Sequence, residues 1–212
     1  MYIPAHFAVD DPAALHDLIR QHPLGDLVTH GAQGLDANPL PFELDAQAGP
    51  HGTLRAHVAR ANPLAQQVRD GDAVLVIFRA EQGYISPGWY PSKAETHRLV
   101  PTWNYRVAHA HGRIRLRDDG RFLRGLLARL TRTHEAGQPQ PWKMGDAPPG
   151  HIDTLLQSIV GLEIELTQLV GKFKLSQNRE VRDRLGAADA LDATGDSQSA
   201  ALAGAMRGAG QG

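Results

Sequence analysis

The chain carries several short segments in which apolar and polar residues alternate, and one segment that is apolar throughout. A hydrophobic period of two residues is typical of strands with one face in a core. A continuous apolar run of this length is typical of a strand that is covered on both faces. The strand-like segments lie at 25–44, where a GAQG turn separates two strands, and at 53–62, 73–78, 103–117 and 160–175. We therefore predict about six strands, and we expect the run AVLVIF at 73–78 to be covered on both faces.

Helical periodicity lies between and after these strands. The helix-like segments are 10–25, 63–71, 120–137, 149–159 and the tail 176–212, where two short helices are predicted. The early strands have connections of hairpin length, which implies antiparallel pairing. Neither a βαβ alternation nor a GxGxxG motif is present, which disfavours a doubly wound nucleotide-binding sheet. We predict a mainly β fold with flanking helices, arranged as a small antiparallel barrel.

Composition and charge exclude several classes of function. The chain has 212 residues, a formal net charge of −1, and no cysteine. A protein that grips DNA usually has a basic excess, and none is seen in the total. The absence of cysteine excludes disulfides, thiolate nucleophiles and cysteine metal sites. The N-terminus lacks the pattern of a signal peptide, and no apolar run is long enough for a bilayer, so we predict a water-soluble, cytoplasmic protein with no membrane partner.

Aromatic residues make up only 6% of the chain, yet they are concentrated in two neighbouring stretches, YISPGWYPSK at 84–93 and VPTWNYRVAHAHG at 100–112. If 101–106 is a strand, Thr102, Asn104 and Arg106 point to one side. Trp103 and Tyr105 then point to the other side, into a core or a partner subunit. The polar side could hydrogen-bond a polar chain or a phosphate. Residues 86–93 have the composition of an irregular loop, from which Lys93 could reach an anion.

Three further motifs leave alternatives open. In ARANP at 59–63, Arg60 and Asn62 offer donors for phosphate, although Asn62 could simply cap the next helix. In KFKLSQNR at 172–179, the polar residues could cap a helix or close over a ligand. The pair His109 and His111 has a spacing that occurs in metal sites, but no third ligand has a recognisable spacing. We therefore favour a polar sheet face and predict no metal site.

Taken together, MYIPAHF, ARANP, YISPGWY, VPTWNY with VAHAHG, and KFKLSQNR resemble the PaiB family of FMN-binding negative transcriptional regulators. The matching blocks run in order from residue 1 to about 179. The resemblance implies an antiparallel split β-barrel, the FMN-binding split barrel of proteins related to pyridoxamine-phosphate oxidase. It also implies a homodimer with FMN in clefts at the subunit interface. It divides the chain into an FMN-binding split-barrel domain at 1–178 and a helical extension at 179–212 that packs on that domain.

The same resemblance implies a set of cofactor-binding residues, whereas catalytic residues remain unassigned. The phosphate would meet Arg60 and Asn62, with Lys93 as a further candidate. The ribityl chain or ring edge would meet Thr102, Trp103 and Asn104, and the polar cluster Ser176, Gln177 and Asn178 would approach the flavin. FMN needs donors for its phosphate, polar partners for its hydroxyls and a flat apolar surface for its ring, and these residue types supply all three.

The regulatory role that the resemblance implies conflicts with the chain's charge. The first tail helix carries Arg179, Arg182 and Arg184, but the second, SQSAALAGAM, has almost no side chains that read bases. The sequence therefore disfavours direct DNA binding and favours an indirect or flavin-linked regulatory effect through a protein partner. The alternative is an FMN-dependent oxidoreductase, of the flavin reductase or pyridoxamine-phosphate oxidase type, that acts on a small molecule.

Overall fold

The structure is a computed structural model that describes residues 1–209. The strands are β1 (Ala8–Val9), β2 (Leu24–Gly31), β3 (Gly34–Pro41), β4 (Glu43–Asp45), β5 (Thr53–Ala59), β6 (Ala73–Ile85), β7 (Thr102–Arg117) and β8 (Ile159–Lys174). The helices are α1 (Pro12–Gln21), α2 (Leu64–Gln67), α3 (Lys93–Thr96), α4 (Gly120–Glu135), α5 (His151–Leu156), α6 (Val181–Asp192) and α7 (Ser197–Gly208). The mainly β prediction with flanking helices is confirmed.

The strands form one eight-stranded sheet in the order β3-β2-β6-β7-β8-β5-β4, with β1 paired to β8. Wherever the register is defined, the pairing is antiparallel, as in Thr53↔Glu165 through Ala59↔Ile159 between β5 and β8. The sheet is an open path within residues 1–209, because β3 and β4 stand at its two ends. Short connections join β2 to β3 and β4 to β5, as expected of antiparallel neighbours, whereas helices α4 and α5 lie between β7 and β8.

Strand β6 departs from its prediction in one respect. Val74, Val76 and Phe78 are buried, whereas the intervening Leu75 and Ile77 are only half-buried. The segment is therefore a half-covered strand, and the expectation that both its faces are covered is wrong. The reason is that large aliphatic side chains at alternate positions give a continuous apolar run even where one face is only partly shielded.

Contacts divide the described chain into two compact units. One unit comprises 1–18, 79–109 and the chain from 170 onward. Its core joins the end of β6 to the tail helices, through Ile85 and Leu175 on one side and Leu191, Leu202 and Met206 on the other. The tail helices α6 and α7 thus pack within this unit. The predicted boundary at residue 178 stays a prediction.

The other unit comprises 19–78 and 110–169. Leu54, Phe78, Leu126 and Ile164 are among its fully buried side chains, which come from β5, β6, α4 and β8. Asp119 begins α4 as a side-chain cap, because its carboxylate accepts a hydrogen bond from Phe122 N at 2.7 Å. Burial of such apolar side chains supplies the main stabilising term of the unit.

Candidate functional site

An exposed surface of the first unit carries aromatic rings and two lysines. Tyr84 and Trp103 touch edge to face, with ring centroids 6.3 Å apart, and their exposed fractions are 46% and 55%. Tyr105 lies on the same side of β7 as Trp103, two residues further on. The Lys172 ammonium group is 5.5 Å from the centroid of the Tyr105 ring. We call this surface the aromatic–lysine face; its residues are Tyr2, Tyr84, Trp103, Tyr105, Lys172 and Lys174.

Positive charge accumulates on this face without a carboxylate to balance it. Lys172 donates to Tyr2 O at 3.3 Å, and Lys174 donates to Thr102 Oγ1. In the part of the chain that the structure describes, neither amine forms an ion pair. Burial lowers the pKa of Lys174, and so do the nearby charges of Lys172 and Arg179, whereas Tyr105 raises it. A bound anion would relieve this repulsion.

The opposite side of β7 is buried and polar. Asn104 is fully buried, and its Nδ2 donates to Ser176 Oγ at 2.9 Å and to Met206 Sδ at 3.4 Å. Arg106 donates twice, at 2.7 Å each, to the carboxylate of Glu81. The sequence had left open whether the aromatic side of β7 faces a core or a partner. In the structure the aromatic side lies at the exposed surface. The polar side contacts the C-terminal segment, through the bonds of Asn104 to Ser176 and Met206.

The turn after β8 brings a second predicted segment to β7. Ser176 adopts a left-handed conformation with φ of 64°, and Arg179 N donates to Ser176 O at 3.0 Å. Gln177 closes the strand end, since its Nε2 donates to Phe173 O at 2.6 Å. Asn178 is exposed in the same turn. Two predicted segments that are 72 residues apart therefore meet, through the bond between Asn104 and Ser176.

Within residues 1–209, the residues predicted to bind the FMN phosphate, Arg60, Asn62 and Lys93, form no hydrogen bond with Asn104 or Ser176. Lys93 lies exposed on the short helix α3 of the first unit. Arg60 and Asn62 belong to the other unit. Arg60 donates to both oxygens of Asp118, at 2.8 and 2.5 Å, and also to two backbone carbonyls. Asn62 Oδ1 accepts from Leu64 N at 2.9 Å, as in the capping alternative. The phosphate role of this pair stays a prediction, and it would require Arg60 to leave Asp118.

Histidine residues form no evident metal centre. Among residues 1–209, no group of three or more His, Cys, Asp and Glu side chains could hold a metal ion. His57 lies on β5, and its buried Nδ1 has no hydrogen-bond partner in the described chain. Burial lowers the pKa of His57. Burial therefore disfavours the protonated form of this imidazole.

The depressed pKa of His57 makes folding stability depend on pH. As the pH falls, the unfolded chain takes up the imidazole proton first, near pH 6.5, so stability is lost below that pH. We expect His57→Leu to lose less stability than the wild type between pH 7.5 and pH 5.5, measured by urea unfolding. The exposed His30 provides the control, and an equal pH response in His57→Leu and His30→Gln would contradict the argument.

Comparisons with known proteins agree with this arrangement. The family model described as "Putative FMN-binding domain" matches residues 1–168. An uncharacterized protein of Emericella nidulans is 31% identical over 98% of this chain and 96% of its own length. The protease synthase and sporulation protein PAI 2 of Bacillus subtilis is 27% identical over 90% of this chain and 89% of its own. The structure of the flavocytochrome Anf3 from Azotobacter vinelandii superposes with a TM-score of 0.61 and 13% identity, covering 81% of this chain and 72% of that one.

The open antiparallel sheet with flanking helices and its likeness to the Anf3 structure define a split-barrel fold, which confirms the predicted fold. The family model covers most of the chain, and a relative more than 30% identical covers nearly all of it. The chain belongs to the PaiB family of FMN-binding proteins. FMN is thereby confirmed as its cofactor. No helix in residues 1–209 is long and apolar enough to cross a membrane.

Three cationic residues near the predicted site were not among the assigned ligands: Lys172, Lys174 and Arg179. The sequence held a usable signal for the two lysines. Residues at i and i+2 of a strand share one face, and KFK at the end of a long strand presents two ammonium groups together. The sequence could not predict that no carboxylate in residues 1–209 pairs with these lysines, because that depends on which distant segments pack against the aromatic–lysine face.

Proposed function

We propose that the aromatic–lysine face is where this chain holds FMN. Lys172, Lys174 and Arg179 would bind the phosphate, and Trp103 with Tyr84 would lie against the flavin ring. The observation that carries the proposal is the amine of Lys174, which is half-buried near the charges of Lys172 and Arg179 and lacks a carboxylate partner. A dianionic phosphate supplies the missing countercharge, and charge-assisted hydrogen bonds are the strongest kind that a protein offers it.

The buried residues beneath this face would act by positioning. Asn104 and Ser176 hold the start of β7 against the turn after β8, so they fix the spacing between Thr102 and Lys174. When bound, FMN supplies hydride and single-electron chemistry, and the protein needs only to orient the ring and control access to it. The assignment of Asn178 and Lys93 to the ligand remains part of the proposal, because both are exposed in the same unit.

A homodimer would complete such a site. Tyr2, Val100 and Trp103 are exposed by 82%, 62% and 55%, an amount of apolar surface that a second copy could cover. We expect sedimentation velocity at micromolar concentration to give the mass of a dimer. Trp103→Glu should shift the equilibrium toward the monomer, whereas Leu35→Glu, at an exposed residue of the other unit, should not. A wild-type chain that stays monomeric at this concentration would contradict the dimer.

The regulatory role, in this proposal, does not involve direct reading of DNA. Arg182 makes ion pairs with two glutamates, and Arg207 makes ion pairs with two aspartates. Arg184 is buried, and Arg179 lies over the Tyr90 ring at 5.7 Å. Arg182 and Arg207 are therefore held in ion pairs and Arg184 is buried, so helices α6 and α7 present few cations with which to bind a DNA groove. A flavin-linked effect on a protein partner fits this surface better.

The experiment that tests the proposed function begins with an absorbance spectrum after FMN is added and the sample is desalted. Flavin bands that survive desalting are expected. The holoprotein is then assayed for a mobility shift of its own upstream DNA at physiological salt, where no shift is expected. Oxidation of NADH or NADPH by the same sample would favour the oxidoreductase alternative, and a tight, sequence-selective DNA shift would overturn the indirect regulatory role.

A further inference from the structure

A cavity of about 480 Å³ lies at the end of helix α4, in the unit that does not contain the aromatic–lysine face. This volume is within the range of sites for small molecules. Most of its lining is apolar, and the apolar residues are Ala128, Ala136, Pro141, Trp142 and Met144. The proposed flavin site uses none of them. Trp142 keeps 43% of its surface exposed, so the cavity leaves an indole open to a ligand.

The wall that carries Trp142 is fixed by two carboxylates. Trp142 N donates to Glu135 Oε2 at 2.9 Å, and Lys143 N donates to Asp146 Oδ2 at 2.8 Å. The first bond holds an otherwise irregular segment against the last turn of α4, and the second fixes the turn that follows Trp142. The cavity is therefore preformed, which lowers the conformational cost of binding.

The charged residues that line the cavity are one carboxylate, that of Glu135, and two cations, Arg132 and Lys143. Glu135 is half-buried and already accepts a backbone hydrogen bond, whereas the side chains of Arg132 and Lys143 lie exposed at the cavity. Neither of these two cations forms an ion pair with any residue that the structure describes. The two cations outnumber the single carboxylate of Glu135, so this apolar cavity with its indole has a net positive lining and is complementary to a ring that carries a negative group.

We propose that this cavity binds a small aromatic acid. The ring packs against Trp142 and Met144, and the carboxylate receives hydrogen bonds from Arg132 and Lys143. The guanidinium of Arg132 can hold the carboxylate through two parallel hydrogen bonds, which orients the ring as well as attracting it. The chain would thus have a second ligand site, independent of FMN.

Calorimetric titration of the full chain with three matched probes tests the proposal. Indole-3-acetate, indole and tryptamine share one ring and differ in charge. We expect indole-3-acetate to bind about fivefold more tightly than indole, and tryptamine to bind most weakly. Trp142→Leu should weaken all three probes, whereas Arg132→Gln should reduce the affinity for indole-3-acetate to that for indole. Arg69→Gln, at an exposed residue that does not line the cavity, serves as the control and should leave all three affinities unchanged.

Several outcomes would overturn the proposal. Equal affinity for the three probes would show that a carboxylate does not contribute to binding. Affinities that are unchanged in Trp142→Leu would show that the probes bind elsewhere. A change in sedimentation on Trp142→Leu would make this surface a contact between copies of the chain. FMN affinity is measured on the same variants and should not change, so failure here is separate from failure of the flavin proposal.

Discussion

Replacing Lys174 by methionine is expected to weaken FMN binding by about 2 kcal/mol, or about thirtyfold in Kd. Methionine keeps most of the side-chain length but removes the charge. The ammonium group lies beside Lys172 and Arg179 with no carboxylate partner, so a phosphate bound there gains from all three cations. Quenching of flavin fluorescence during titration measures the affinity.

Two matched variants separate this assignment from its competitors. Lys143→Met removes the same charge at an exposed position of the other unit, and it should bind FMN like the wild type. Arg60→Ala tests the assignment made from the sequence. A large loss in Arg60→Ala with none in Lys174→Met would return the phosphate to Arg60 and remove it from the aromatic–lysine face.

The affinity for FMN should also depend on pH with a defined sign. Burial and neighbouring cations lower the pKa of Lys174 in the free protein, and a bound phosphate raises it again. Proton uptake therefore accompanies binding, so affinity falls as the pH rises through the depressed pKa of the free protein. The alkaline loss of affinity should be reduced in Lys174→Met, and an identical pH profile in the two proteins would remove Lys174 from the site.

Gly112→Ala is expected to destabilise the protein by about 3 kcal/mol, which lowers Tm by about 9 °C. Gly112 lies in β7, where an added Cβ would stand 2.6 Å from the carbonyl oxygen of Glu165 and 2.6 Å from a methyl of Ile164. A backbone oxygen cannot turn aside as a side chain can, so the strands would have to separate. Differential scanning calorimetry measures the change.

Gly204→Ala is the matched control for this substitution. Gly204 is exposed within α7, and an added Cβ there meets nothing within 4 Å. Alanine should stabilise the helix by about 1 kcal/mol. If Gly112→Ala unfolds at the wild-type temperature while Gly204→Ala gains stability, the close approach of β7 to Glu165 is not a constraint on the fold.

Most of the fold could be predicted from hydrophobic period, because β7, β8 and α4 are long enough to show several repeats. Strands β1 and β4 could not, since they are two and three residues long and form only where a partner strand pairs with them. The alternation of residues along a strand also does not show which of its two faces is buried. The alternation at Trp103 and Asn104 predicted two sides, but the packing of the tail helices decided which side is buried.

The candidate site was less predictable than the fold, because its charges depend on distant partners. Arg60 looked available for phosphate, yet its partner Asp118 lies 58 residues away. Arg182 was one of the three tail arginines considered for DNA contact, yet it pairs with Glu95, 87 residues away. Which carboxylate lies near a given cation is decided by the fold, so a local sequence motif cannot show whether that cation is free to bind a ligand.

The edge-to-face pair of Tyr84 and Trp103 has a photochemical consequence. Indole and phenol rings are readily oxidised, and a photoexcited flavin is a strong oxidant at short range. If the flavin ring rests on this pair, its emission should be nearly extinguished by electron transfer within the complex, so the holoprotein would be yellow but dark under blue light. Trp103→Leu would then increase the fluorescence of bound FMN. The fluorescence of each preparation would therefore report whether the flavin ring lies against Trp103.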